Sequence, residues 1–178
     1  NNLIQIENGV SYVDKWVIDC DEQTTNVTLR ADTVGIGDNA FYKCSSLTSI
    51  EIPDSVTSIG DGAFRYCQSL TSIEIPDSVM SIGDEAFYYC ERLTSIEIPA
   101  GVMNIGYGAF YGSSLKSIKI PDSVTSIGVQ AFFMCYGLED ITFNGTISQW
   151  NSIAKGENWF ISNFTVHCTD GDIVKSES

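Results

Sequence analysis

The sequence predicts a right-handed repeat solenoid in which short parallel strands stack into one continuous sheet, joined by single helical or 3-10 turns and closed by a β-rich N-terminal cap and a mixed C-terminal cap. Three observations lead there. Leu47, Leu70, Leu93, Leu115 and Leu138 recur at intervals of 23, 23, 22 and 23 residues within nearly unchanged text. All 4 prolines fall at one position of that text. Degenerate half-units flank the array, from Val34 to Cys44 and from Leu138 to Phe143, as the atypical end units of a stack do. We therefore expect one domain, with a cap over 1–26, an array of 23-residue units over 27–143, and a cap and tail over 144–178.

Each column of the repeat has a physical task. Ile50 and Ile52 alternate with Ser49 and Glu51, the period of a strand with one buried face. Pro53, Pro76, Pro99 and Pro121 end that strand, where a missing N–H costs little and the fixed φ turns the chain. Gly60, Gly83, Gly106 and Gly128 follow the inward Ile59, Ile82, Ile105 and Ile127, at a bend that needs either positive φ or close backbone approach. Ala63, Phe64, Cys67 and Leu70 then have the spacing of a single helical turn, with Asp38, Asp61 and Asp84 at its N-cap position. Phe41, Phe64, Phe87, Phe110 and Phe132 form the spine of the core, each worth roughly 1.5–3 kcal/mol when fully buried. One unit cannot cover its own apolar edges, so the coils stack about 4.8 Å apart.

The flanks read as covers for the two open ends. Asn8-Gly9 between Leu3–Ile6 and Val10–Val13 signals a tight hairpin, and Trp16–Ile18 adds a third strand. Trp150, Ile153, Trp159, Phe160 and Phe164 lie on either side of 155–158, which fits a short helix and a last strand over the final coil. Residues 175–178 are expected to fray.

Composition narrows the function. The 178 residues are 43% hydrophobic, enough for a core, and their net charge of −14 is the wrong sign for the phosphate backbone, so no nucleic acid is expected as a partner. No apolar run approaches the roughly 18 residues of a membrane helix, so no membrane insertion is expected. The chain opens on Asn1-Asn2-Leu3 without a basic stretch and an apolar run, so any targeting segment is expected to lie outside this sequence.

The unit Leu-x-x-Ile-x-Ile-Pro-x-x-Val-x-x-Ile-Gly-x-x-Ala-Phe-x-x-Cys-x-x, as it stands from Leu47 to Ser69, resembles the BspA-type leucine-rich repeat of bacterial surface proteins. The likeness covers roughly 27–143, and the segments Tyr12–Cys20 and Gly145–Gly171 are similar to the ends that accompany such arrays in gut-bacterial proteins. It implies a secreted or wall-associated protein, extracellular or at the cell surface, used in adhesion or host-protein binding. It does not imply an enzyme, and it carries no defined ligand site.

Six cysteines raise the question of disulfides or metal. Cys44, Cys67, Cys90 and Cys135 share one repeat column, with Ser113 nearest the skipped position, and no Cys-x-x-Cys or Cys/His pair has ligand spacing. They are expected to be free, buried and small-hydrophobic in role; Cys20 and Cys168 lie in the caps. His167 adjoins Cys168, where both cannot easily face one ion. A cysteine nucleophile partnered by His167 lacks an orienting acid and a pocket, so neither catalysis, metal nor cofactor is expected.

Function is sought on the outward columns. On the strand face these are Ser49, Ser72, Ser95, Ser117 and Asp140, beside Glu51, Glu74, Glu97, Lys119 and Thr142. One reading is a solvated face copied along with the repeat. The other is a docking strip for a basic partner or a cation, carried by Ser49, Glu51, Ser72, Glu74, Ser95, Glu97, Ser117 and Lys119. Glutamates on neighbouring strands repel by roughly 0.8 kcal/mol per pair in water, a cost that splaying side chains reduce. A second column, Tyr42, Tyr88, Tyr111 and Phe133 interrupted by Arg65, offers either stacking and anchoring to sugars or protein, or half-burial between coils. Two function classes follow: a surface module adhering to an extracellular protein or glycan through the sheet face, and a structural spacer or display scaffold within a longer surface protein.

Overall fold

The computed structural model describes residues 3–160 and 163–175. The N-terminal cap is a meander of β1 (Gln5–Glu7), β2 (Val10–Val13) and β3 (Trp16–Cys20), antiparallel throughout. Asn8 and Gly9 turn its first hairpin with φ of 51° and 81°, the left-handed pair that a tight hairpin needs. The array then alternates two kinds of strand. On one side lie β4 (Asn26–Thr28), β6 (Ser49–Glu51), β9 (Ser95–Glu97), β11 (Ser117–Ile120) and β13 (Asp140–Phe143). On the other lie the two-residue strands β5 (Gly35–Ile36), β7 (Ser58–Ile59), β8 (Ser81–Ile82), β10 (Asn104–Ile105) and β12 (Ser126–Ile127). The C-terminal cap holds α1 (Ile147–Ser152), β14 (Ala154–Lys155), β15 (Phe164–Cys168) and β16 (Gly171–Lys175). Lys175 thus closes a strand, and 176–178 lie outside the described residues.

The solenoid and its caps agree with the sequence, but the single sheet does not. The bend before each glycine is itself a sheet, nine strands in the order β1-β2-β3-β5-β7-β8-β10-β12-β14, and it has the most strands of any sheet among the described residues. Its alternation covers only two residues per coil, too short a period to register in the sequence. The Ser-Ile-Glu face, expected to be continuous, is two sheets: β4-β6 and β16-β15-β13-β11-β9. Thr71–Ile75, the matching segment of the intervening coil, belongs to no strand.

The helical turn is also replaced, by linked tight turns. Within the first of them Ala40, Tyr42 and Cys44 donate three residues back, to Gly37, Asn39 and Phe41, while Asn39, Phe41 and Lys43 donate to the next coil, to Asp61, Ala63 and Arg65. Alternate N–H groups thus bind alternately within and between coils. Left-handed residues at two columns make this possible, as at Asn39, Gly62 and Glu85 and again at Lys43, Tyr66 and Tyr89. With no helix to cap, Asp38, Asp61 and Asp84 are not N-caps. Their Oδ1 atoms accept the N–H groups of Asp61 (2.9 Å), Asp84 (2.8 Å) and Tyr107 (2.7 Å), one coil further on.

The glycine column has no positive φ at Gly60, Gly83, Gly106 or Gly128. Close approach is the reason for glycine: a Cβ on Gly83 would lie 2.5 Å from Asp61 N and from Gly60 C. Inside, Phe41, Phe64, Phe87, Phe110 and Phe132 are fully buried and stack at centroid separations of 5.1–5.4 Å with nearly parallel planes. Trp159 closes this stack edge-on against Phe132 at 6.3 Å, and the buried Trp150 packs on Phe143, so the tryptophans serve as cover. A capping box between Thr146 and Gln149 starts α1. At the end of the inward isoleucine column stands Lys155, paired with Ile127; its Nζ donates to the Trp150 and Ile153 carbonyls and sits over the Trp150 ring.

Cys44, Cys67, Cys90 and Cys135 are free and buried. The thiols of Cys67, Cys90 and Cys135 donate to the Phe41, Phe64 and Phe110 carbonyls at 3.0–3.2 Å, and Ser113 takes the skipped place, 3.2 Å from Cys135 Sγ. Burial pushes the Cys67 and Cys90 thiols well up, and that of Cys135 to about 11. Thiol labelling of this column is expected to be slow in the native protein and complete after denaturation without reductant. A disulfide-linked peptide from the column, found by mass spectrometry, would refute that expectation.

Candidate functional site

The outward side chains of the Ser-Ile-Glu face stand where the strand period puts them. Ser49, Glu51, Ser95, Glu97, Ser117 and Lys119 project from β6, β9 and β11 and are exposed, as are Ser72 and Glu74 in the unpaired coil. An open groove of about 920 Å³ runs along the face. Ser72, Glu74, Ser95, Glu97, Ser117 and Lys119 line it, whereas Ser49 and Glu51 lie outside it. Asp54 and Asp77 add two further carboxylates to its wall.

Neighbour identity sets the electrostatics of the strip. Lys119 Nζ bridges to Glu97 Oε2 at 3.1 Å, and Thr28 Oγ1 donates to Glu51 Oε2 at 3.1 Å. Both partners of the ion pair are more than half exposed, so it contributes about 0–1 kcal/mol at most. Glu74 has no hydrogen-bond or ion-pair partner among the described residues. The face thus presents uncompensated negative charge at its middle coil and a cation only beyond it.

Further along the same face the structure assembles a cluster that sequence reasoning missed. His167 on β15 lies between Asp140 of β13, 3.1 Å from its Nε2, and Asp172 of β16, 3.0 Å from its Nδ1. Asp140 stands 27 residues from His167, and only the pairing of β13 with β15 brings them together; the adjacent Cys168 plays no part. Hydrogen bonds to Asp140 and then Asp172 raise the histidine pKa above its ordinary value. A raised folded-state pKa means that the cluster's stabilisation is full below about 6.5, the unfolded value. It is lost as pH rises through the folded pKa. Titrating the imidazole resonances by NMR is expected to give a midpoint above that of a model peptide, lowered by Asp140→Asn or Asp172→Asn. A wild-type midpoint at or below the model value would overturn the assignment.

The aromatic column is half-buried between coils, except Tyr42, which is exposed. Tyr88 and Tyr111 stack at 4.7 Å and 19°, and Phe133 tilts against Tyr111 at 5.5 Å. Tyr66 and Tyr89, absent from the expected column, join it from the position before each cysteine, where left-handed φ values of 62° and 53° turn them toward it. Arg65 fills its apparent break, with its guanidinium near the Tyr66 and Tyr88 rings and paired with Glu85. The rings cover one another's faces, so the column acts as inter-coil packing. Among the described residues no group of three His, Cys, Asp or Glu side chains could hold a metal ion, and no helix is long and apolar enough to cross a membrane.

Comparison with known proteins bears on the repeat array as a whole. A model of the BspA type leucine rich repeat region matches six copies, over 2–80 and 57–170. A leucine rich cell surface protein from Faecalibacterium prausnitzii superposes with a TM-score of 0.82 at 34% identity, covering 85% of this chain and 42% of that one. A leucine-rich repeat protein from Bacteroides ovatus gives 0.70 at 32% identity over 89% of this chain and 42% of its own. The leucine rich repeat protein of T. pallidum gives 0.69 at 29% identity over 77% and 62%. This chain therefore spans less than two thirds of the length of each. Among curated proteins none matches it significantly.

Proposed function

Because the chain belongs to the BspA type leucine-rich repeat family, we propose that it is a non-catalytic, surface-displayed binding module that engages an extracellular protein or glycan through the Ser-Ile-Glu face. The observation that carries this reading is the groove, lined by six outward side chains held on stacked coils, with carboxylates that the fold leaves without a cation at Glu74. Such a field accelerates encounter with a positively charged partner and is screened by salt.

The test is a screen against matrix proteins, mucins and glycans, followed by kinetics of wild type and the triple variant Glu51→Gln, Glu74→Gln, Glu97→Gln. The variant is expected to keep or slightly gain thermal stability at low ionic strength. Its on-rate is expected to fall roughly tenfold there and less at physiological salt. Equal on-rates at both salts would remove the strip as the site. A second reading, a spacer within a longer surface protein, draws on the greater length of the structural relatives and predicts that no ligand is retained.

A further inference from the structure

We infer that the run Glu51, Glu74 and Glu97 holds the Ser-Ile-Glu sheet open at the coil of Glu74, and that removing or reversing the charge of Glu74 closes it. The molecule carries its own control. The text Thr-Ser-Ile-Glu-Ile-Pro occurs three times, at 48–53, 71–76 and 94–99. The first copy contains β6 and pairs with β4; the third contains β9 and pairs with β11. The middle copy pairs with nothing. Strand propensity, inward isoleucines and terminal proline are the same in all three, so the cause lies in what stands beside each copy.

Along the outward column the neighbours run Thr28, Glu51, Glu74, Glu97, Lys119, Thr142, His167. The ladder is intact between Thr28 and Glu51, Glu97 and Lys119, Lys119 and Thr142, and Thr142 and His167. It fails at the two steps between glutamates, the only like-charged neighbours in the column. Like charges directly opposite on adjacent strands destabilise their pairing. The missing bonds can be named. Leu29 N donates to the Glu51 carbonyl (3.1 Å) and Ile98 N to that of Lys119 (3.0 Å), but no such bond joins Ile52 to Glu74 or Ile75 to Glu97. Thr48 N donates to Thr25 (2.7 Å) and Lys116 N to Thr94 (2.9 Å), with no counterpart from Thr71 or Thr94.

The opening is one-sided. Behind it β7, β8 and β10 pair without interruption, so the coils stay bonded at the rear while their front edges lack main-chain bonds. In this column Ile52, at the first step, is only partly buried and Ile75, at the second, is buried but 8% exposed, against 3%, 0% and 1% for Ile98, Ile120 and Phe143. The inference stands whether or not the face docks a partner, since it concerns main-chain pairing alone.

Amide hydrogen exchange resolved by residue tests it. In wild type, the amides of Ile52, Thr71, Ile75 and Thr94 are expected to exchange much faster than those of Leu29 and Ile98. Glu74→Gln should slow all four by about tenfold or more, and Glu74→Lys further, since it supplies the cation that Lys119 supplies one step beyond Glu97. High salt should slow them in wild type in the same direction. Ser72→Ala, which alters the adjacent exposed side chain without altering charge, should leave them unchanged. Full protection of the four amides in wild type, unchanged exchange in both Glu74 variants, or equal slowing by Ser72→Ala would each overturn the inference. Glu74 is exposed, so the variants fold, and far-UV circular dichroism verifies it.

Discussion

Phe87→Ala is expected to lower the free energy of unfolding in urea by about 3–5 kcal/mol, the usual cost of emptying a packed aromatic site. Phe87 is fully buried at the centre of five stacked rings, with Phe64 at 5.3 Å on one side and Phe110 at 5.4 Å on the other. Truncation removes two ring contacts and leaves a hole bounded by the backbones of adjacent coils. Those backbones cannot close in, because the N–H groups of Phe64 and Phe87 already bind the Ala86 and Ala109 carbonyls at 2.8 Å. Stability in such an array is carried by nearest-neighbour interfaces, so the variant should also unfold less cooperatively, as two weakly joined halves. Phe41→Ala is expected to cost less, since Phe41 stacks on only one ring of the column. A loss below about 1 kcal/mol for Phe87→Ala would show that the phenylalanine column is not the core.

Gly83→Ala is expected to cost about 3 kcal/mol, at the upper end of the penalty for overpacking. The added methyl would meet Asp61 N and Gly60 C at 2.5 Å, and both are main-chain atoms of the preceding coil. They cannot yield without parting β7 from β8 and stretching the bond from Asp84 N to Asp61 Oδ1. Gly101→Ala is the matched control. It lies between Pro99 and Val102 with φ outside the left-handed region, and the nearest atom its methyl would meet is Val79 O at 3.4 Å, so thermal unfolding should change by no more than about 0.5 kcal/mol. Similar losses in the two variants would mean that the close approach is not what demands glycine.

What the sequence made legible is whatever one coil states by itself. The inward columns, the prolines, the cysteine ladder, the Asn8-Gly9 hairpin and the covering tryptophans each follow from a residue type at a repeat position. What it hid depends on a neighbour. The aspartate ladder joins N–H groups to carboxylates one coil away, and His167 meets Asp140 only through the register of β13 and β15. The long rear sheet hid for a different reason: two residues per coil cannot display a period. The candidate strip was legible as a list of exposed residues. Its interruption was not, because identical text at 48–53, 71–76 and 94–99 leads to two paired strands and one unpaired segment.

That identity of text also shapes how the molecule changes length over generations. Homologous stretches at a nearly constant interval are substrates for unequal exchange, which inserts or deletes one whole coil at a time. Both caps survive any such event, because β3 and β14 each pair with a single adjoining coil and Lys155 still terminates whatever column of isoleucines precedes it. The inserted coil brings its own phenylalanine, glycine and aspartate and is satisfied by its neighbours at once. What it does not bring is neutral surface. Each further copy of the Glu74 type adds another like-charged step, so added coils close into one sheet only where a residue such as Lys119 stands opposite the glutamate.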